Sequence, residues 1–240
     1  MWTFAELDIY HDLTPRSATM HMAIDEALLE MAKIPSIRFY RWRSPALSFG
    51  YFGKFSDVAE YSAERDLVRR WTGGGIVFHG DDLTYSIVIP ASDLVLCKSS
   101  ISIYENVHRA LRDALMKRGQ RAVVAVIGDR GGAAAIKTRV SDPGYSRAQD
   151  CNGHCFANPV RADVIVNGRK VAGAAQRRTH AGLLHQGSIQ HVDLGNGLAE
   201  RFAIELCPAY GEKLLDEACL RRAREIAAQK YGTDAWLRKR

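Results

Sequence analysis

Three short segments carry side chains of a kind that can do chemistry. The first reads Arg69-Arg70-Trp71-Thr72-Gly73-Gly74-Gly75 and runs on into Ile76-Val77-Phe78-His79. Three successive glycines between apolar stretches let the main chain approach a ligand closely and turn its N–H groups toward an anion, while the arginines supply charge. The segment lacks the Gly-Lys-Ser/Thr ending of a phosphate loop and is not the Gly-x-Gly-x-x-Gly turn that opens a helix. A wide turn in a sheet is the plain alternative. The second segment is Lys170 followed by Val171-Ala172-Gly173-Ala174-Ala175-Gln176. Small residues beside a strand lysine leave room for a substrate, and the ammonium can hold a carboxylate, phosphate or carbonyl oxygen. Alone, Lys170 also fits a solvated hairpin lysine. The third segment is Cys151-Asn152-Gly153-His154-Cys155-Phe156. Histidine, or the positive charge of Lys170, Arg177 and Arg178, favours the thiolate, so Cys155 has the setting of a nucleophile. Cys-x-x-x-Cys with one adjacent histidine lacks a second ligand pair, so no metal site is expected, and a merely buried cysteine is the competing reading. His79 and His185 each stand beside a glycine or strand end and fit hydrogen-bonded core histidines as well as proton carriers.

These segments must be held by a regular frame. Ser17 caps a helix predicted over 17–32, with Met20, Ala23, Ala27, Leu28 and Met31 on one face. Two strands follow, at 36–42 and at 46–51, the second entered through Pro45. A polar helix opened by Ser56 over 56–65 leads into a strand, the glycine turn and two further strands as far as residue 90. Ser102 and Glu105 read as a capping box for a helix in which Ile103, Val107, Ala110, Leu111, Ala114 and Leu115 repeat at helical spacing, and Gly119 ends it. After a strand at 121–127, residues 128–150 show no apolar period. A stretch this long without pattern is often a substrate loop or lid. Asn167-Gly168 marks a hairpin, a strand is expected at 183–192, and helices at 197–206 and 213–229. The tail Trp236-Leu237-Arg238-Lys239-Arg240 reads as a solvated basic end.

Composition sets the outer limits. A chain of 240 residues with 47% apolar residues can hide roughly 70% of its unfolded surface in one core, so one α/β domain spanning 1–240 is expected. Its first residues lack the basic start and long apolar run of a signal peptide, and no apolar run approaches the about 20 residues that cross a bilayer. The expectation is a cytoplasmic protein with no membrane association. Five cysteines are an odd number without a secretion signal, which argues against a disulfide framework. The net charge of +6 is spread along the chain with no RNA-binding signature or zinc-finger spacing, so an acidic protein or anionic small ligand suits it and nucleic acid is not expected.

Taken in order, the segments resemble the catalytic domain of lipoate-protein ligases and octanoyltransferases, a superfamily shared with biotin protein ligases. The resemblance rests on Met22-Ala23-Ile24-Asp25-Glu26-Ala27-Leu28, Arg41-Trp42 with Pro45 to Tyr51, and Arg69-Arg70-x-Thr72-Gly73-Gly74-Gly75-x-Val77-x-His79. It continues through Leu83-Thr84-Tyr85-Ser86, Lys170 to Arg178, and Leu184-His185-Gln186-Gly187-Ser188-Ile189. Several motifs in the right order over about residues 20 to 190 are far more specific than any one alone.

The resemblance implies an α/β fold of α+β type, class II synthetase-like: a mixed, largely antiparallel sheet flanked by helices, with an elongated apolar slot for an eight-carbon acyl chain. By the same resemblance the acyl or acyl-adenylate site falls to Arg70, Thr72, Gly73, Gly74, Gly75, His79, Tyr85, Gly173, Ala174, Gln176, His185 and Gly187, with Lys170 as oxyanion stabiliser. Two mechanisms are implied. A transferase takes octanoyl from acyl carrier protein through a cysteine thioester and needs no cofactor. A ligase activates lipoate with ATP and Mg2+ and usually needs an accessory domain, fused or as a separate partner. Cys155-Phe156 and Asp82-Leu83-Thr84-Tyr85-Ser86 resemble the monomeric octanoyltransferases, whereas Gly75 stands where those enzymes usually carry arginine and Gly80 departs from their His-Asp pair. The reading carried forward is an acyltransferase with Cys155 as nucleophile, acting as a monomer on a lipoyl-domain acceptor such as glycine cleavage H protein or a 2-oxoacid dehydrogenase E2. A non-catalytic module that binds lipoate or octanoate is the alternative from a different class.

Overall fold

The computed structural model describes residues 3–125 and 161–239. In chain order its strands are β1 (Leu7–Arg16), β2 (Ser36–Trp42), β3 (Ala46–Phe49), β4 (Asp66–Arg69), β5 (Val77–His79), β6 (Leu83–Pro90), β7 (Ala122–Val124), β8 (Val164–Val166), β9 (Arg169–Thr179), β10 (Gly182–Ile189) and β11 (Tyr210–Lys213). The helices are α1 (Ala18–Met31), α2 (Ser100–Met116), α3 (Leu198–Leu206), α4 (Glu217–Ile226) and α5 (Asp234–Leu237).

Eight strands join in the order β11-β1-β2-β6-β10-β9-β8-β7, and β4-β3-β5 form a second, smaller sheet. In the large sheet only β1 runs parallel to its neighbours, β11 and β2; the other pairings are antiparallel. This is the mixed, mostly antiparallel architecture that the motifs imply. On one face α2 and α3 pack Ile103, Val107, Leu111 and Phe202 against Phe39, Tyr85 and Ile87. On the other face α1 and α4 pack together with Val88, Leu184, Ala46 and Val68, which places the small sheet on the α1 side. Burial of these apolar side chains supplies the main driving force for the assembly.

Several elements differ from the expectation. A first strand, β1, precedes α1, its outward positions masking the alternation. Ser17 does cap α1, accepting from Met20 N, but the helix is buried all round from His21 to Leu29, while Met31 is exposed. It lies between the large sheet and α4, so its polar side is covered too. The segment predicted as a polar helix at 56–65 forms only two 3-10 turns, Phe55–Asp57 and Ala59–Ala63. The cap of α2 is Ser99, which accepts from Ser102 N, one turn earlier than the box at Ser102; Glu105 instead pairs with Arg161 at 2.9 Å. Gly119 ends the helix region at φ +80°, and Asn167 and Gly168, both at positive φ, make the hairpin turn between β8 and β9.

The tail is also not simply solvated. The Arg69 guanidinium, 1% exposed, donates to the carbonyls of Trp236, Leu237 and Lys239 as well as to those of Tyr51 and Gly53. Trp236 Nε1 returns a hydrogen bond to Arg69 O at 3.0 Å. One buried cation thus satisfies the carbonyls of the last turn, which have no partners within a helix. Among the described residues no helix is long and apolar enough to cross a membrane.

Candidate functional site

Strand register decides which motif residues meet. Side chains on a strand alternate between faces, so partners across an antiparallel ladder share a face. One cross-strand row on the α1 side is Tyr40, Thr84, Ser188 and Gly173; the next is Arg38, Ser86, Gln186 and Ala175. The intervening rows, Phe39-Tyr85-Gly187-Ala174 and Ile37-Ile87-His185-Gln176, face α2 and α3. In the small sheet Ser48 pairs with Val77 and Ala46 with His79, which turns Ser48 and His79 toward the first rows.

Between the two sheets lies a narrow slot with about 30 Å³ of free room, bordered by Met22, Tyr40, Trp42, Val77 and the alanines and glycines of β9, together with Ser48, Arg70, Gly74, His79, Thr84, Gln186 and Ser188. Its lining, apolar with a few convergent polar groups, and not its tight free volume, is that of a small-ligand site. The glycine turn forms one wall. Tyr51 N donates to Thr72 O at 2.9 Å and Arg70 N to Phe49 O at 2.8 Å. A Cβ at Gly50 would fall 2.0 Å from Gly74 O, so the close crossing of the two segments requires glycine. Gly74 takes φ +87°, open to glycine without strain.

Arg70 holds this turn by donating to Gly73 O at 3.1 Å and to Gly75 O at 2.7 Å, and it donates to Ser48 Oγ at 2.7 Å. Because Ser48 accepts there, its own proton goes to His79 Nε2, 2.7 Å away. His79 therefore carries its hydrogen on Nδ1 and gives it to Asp82 Oδ2 at 2.8 Å. Burial keeps His79 below the usual histidine range. Burial opposes the charge of Asp82, but His79, Thr84, Ser188 and Gly80 N all donate to it and hold its pKa below the usual carboxylate range. Trp42 stacks on His79 with ring centroids 4.1 Å apart and donates to Thr84 at 2.8 Å. The wall is thus a fully satisfied polar relay with an apolar lining.

The turn is tethered from below as well. Thr72 donates to Gln186 Oε1 at 2.8 Å, and Gln186 Nε2 donates to Asp25 Oδ2 at 2.7 Å. Asp25 pairs with Arg38 at 2.8 Å, and Arg38 with Asp12 at 2.6 Å, all buried.

Lys170 is buried, not solvated, at 4% exposure. Its Nζ lies 2.7 Å from Asp163 Oδ2. A Cβ at Gly173, which borders the slot, would meet Lys170 Cε at 2.7 Å and Nζ at 2.8 Å. The amine therefore sits beside Gly173, next to the slot. Opposite it the glycine turn reaches β9, where a Cβ on Gly74 would lie 3.5 Å from Ala175 Cβ.

The structure thus brings Arg70, the 73–75 turn, His79, Gly173, Ala174 and Gly187 around one slot, with Thr72 as tether and Lys170 beside Gly173. Tyr85, His185 and Gln176 stand on the other face, where Gln176 Nε2 meets His185 Nδ1 at 3.0 Å and Tyr85 meets His185 Nε2 at 3.3 Å. Gly187 is needed because Tyr85 crosses it: a Cβ there would fall 2.3 Å from the ring. Cys151, His154, Cys155 and the 128–150 segment lie outside the described residues. Of the described cysteines, Cys207 and Cys219 are buried and Cys97 exposed, none bordering the slot. Burial pushes the Cys219 thiol up to about 11, which disfavours the thiolate. Asp163 and Tyr104 were not singled out from the sequence, and Ser48, Asp82, Gln186 and Ser188 stood within motifs without a role of their own; for Ser48, Gln186 and Ser188 the signal was a hydrophilic residue at alternate places of strands too apolar to be exposed.

Two sheets flanking a narrow apolar slot, with a glycine turn on one wall and a buried lysine beside the other, define the class: a mixed α/β fold with a candidate ligand slot. The chain belongs to the lipoyl protein ligase A/B catalytic domain family, whose model matches residues 17–193. It is 33% identical over 196 residues to the octanoyltransferase LipM of Oceanobacillus iheyensis, covering 78% of this chain. The match spans 63% of that relative's length. In fold it is similar to an assigned lipoate protein ligase of T. acidophilum with bound lipoic acid, at TM-score 0.68, 22% identity and coverage of 97% of this chain and 98% of the other. It is likewise similar to a lipoate-protein ligase A bound with ATP, at TM-score 0.70, 21% identity and 98% coverage of each chain.

Proposed function

We propose that the chain transfers an octanoyl or lipoyl group to the acceptor lysine of a lipoyl domain, through a thioester on Cys155. The observation that carries this reading is the buried Lys170 amine set beside Gly173 at an apolar slot, supported by the octanoyltransferase name of the relatives. In the first step the Cys155 thiolate attacks the carbonyl of an octanoyl thioester on acyl carrier protein. Lys170 stabilises the negative oxygen as it forms, and the carrier thiolate leaves and takes up a proton. In the second step the unprotonated lysine amine of the lipoyl domain attacks the Cys155 thioester, the cysteine thiolate leaves, and the amine loses its extra proton to solvent. Arg70 and the relay from Ser48 to Asp82 keep the glycine turn in shape beside the acyl chain. Glycine cleavage H protein and a 2-oxoacid dehydrogenase E2 are acceptors of the required kind.

The test offers an apo lipoyl domain two donors, octanoyl carrier protein alone and lipoate with ATP and Mg2+, and weighs the products. Wild-type chain should octanoylate from the carrier and accumulate a covalent acyl-enzyme that Cys155→Ser lacks. Undiminished transfer by Cys155→Ser sinks the thioester route, and lipoylation that needs ATP and survives this substitution replaces it with the ligase route. Retained binding of octanoate with no modified acceptor under either condition would leave only a binding module.

A further inference from the structure

Helix α2 reaches the candidate site through Tyr104. The Tyr104 hydroxyl donates to Asp163 Oδ1 at 2.8 Å and accepts from Ala174 N at 2.9 Å. Ala174 follows Gly173 on the slot wall, and the other oxygen of Asp163 holds Lys170 Nζ at 2.7 Å. A single phenol therefore fixes both the strand beside the slot and the carboxylate that grips the amine. A lysine side chain is a point charge on a flexible four-carbon stem, so its position depends on what its partner is anchored to.

The surroundings leave Tyr104 little freedom. Its ring packs against His108 and His185, with centroids 4.4 Å and 5.5 Å away. Those histidines belong to a directed chain of hydrogen bonds. Gln176 donates to His185 Nδ1, His185 Nε2 to Tyr85, Tyr85 to His108 Nε2, and His108 Nδ1 to the carbonyl of Ala162 at 2.6 Å. Ala162 immediately precedes Asp163. The residues that sit on the wrong face to touch an acyl chain thus buttress the segment that carries Asp163.

We infer that Tyr104 is a positioning residue for Lys170, acting through Asp163. The inference rests on the proposed role of Lys170 and extends it to a residue on another element. Supporting groups of this kind hold a reacting group within the tolerance that its chemistry needs. Removing the hydroxyl leaves the ring packing intact and takes away two hydrogen bonds, the one from the Ala174 amide and the one to a carboxylate, which is of the stronger kind.

The experiment compares full chains in steady-state octanoyl transfer from octanoyl carrier protein to an apo lipoyl domain. Tyr104→Phe should lower kcat by about tenfold and leave KM for the octanoyl carrier within about twofold. Asp163→Asn should lower kcat at least as far, and the double variant should be no slower than Asp163→Asn alone, because both changes act along one path. Wild-type kcat in Tyr104→Phe, a loss confined to KM, or losses that multiply in the double variant would each overturn the inference. A Tyr104→Phe chain that melts well below wild type would make the hydroxyl a folding group and overturn it too. Lys170→Gln separates the two levels. Near wild-type transfer by that variant brings down the role of Lys170 itself, whereas a crippled Lys170→Gln beside a normal Tyr104→Phe brings down only the role of Tyr104.

Discussion

Adding one methyl group at position 173 should disarm Lys170 and leave the fold standing. A Cβ there would lie 2.7 Å from Lys170 Cε, 2.8 Å from its Nζ and 3.3 Å from Asp163 Oδ1. Ordinary contact begins near about 3.5 Å, so the amine must retreat by most of an ångström. The obstacle is the far end of a side chain, not main chain, so the ion pair gives way before the fold does. The retreat stretches the 2.7 Å contact to Asp163. A misplacement of roughly 1 Å in a reacting group lowers rate on the order of 100-fold. Gly173→Ala should therefore lose about 100-fold in kcat for octanoyl transfer, read by mass of the acceptor, with a melting temperature within about 4 °C of wild type. Gly211→Ala on β11, where the new methyl first meets Asp8 Oδ1 at 3.5 Å, is the control and should behave as wild type. If Gly173→Ala transfers at the wild-type rate, the place of the amine does not govern the chemistry. A large loss of melting temperature would instead make Gly173 a packing residue.

Two further outcomes concern the buried polar groups beneath the slot. Arg38, fully buried between Asp12 and Asp25, leaves Asp25 without a cation and Asp12 with Arg16 alone when replaced by Met, which should destabilise the chain by about 3–5 kcal/mol in chemical denaturation; an unchanged midpoint would refute this account of the core. Burial depresses His108 to about 4, and His185 is pushed down by burial in the same direction. Because the unfolded chain then binds protons that the folded chain does not, stability should fall as pH drops from about 6.5 toward 4, by roughly 3 kcal/mol for His108 alone. Denaturation midpoints at pH 7, 5 and 4 measure this, and His108→Gln should flatten part of the slope.

The order of the motifs along the chain was enough to point to the family, because each carries a local requirement that only certain residues meet. Asn167-Gly168 takes the positive φ angles of a tight turn, Ser17 offers an oxygen to a helix start, and α2 repeats its apolar residues at helical spacing. Position in space was less legible. The strand β1 and the docking of the tail on Arg69 depend on partners far away in sequence. The cap of α2 went to Ser99 because that serine, not Ser102, stands where the chain enters the helix.

The candidate site divides along the same line. The motifs, through the family resemblance they carry, grouped the glycine turn, Arg70, His79 and Lys170 as residues worth placing together. Only the tertiary structure decided that Lys170 is buried against Asp163, that His79 finds its carboxylate at Asp82, and that Tyr85, Gln176 and His185 turn away from the slot. A sequence states that side chains alternate along a strand, but strand pairing and the layer that covers each face set which half of the alternation meets the ligand.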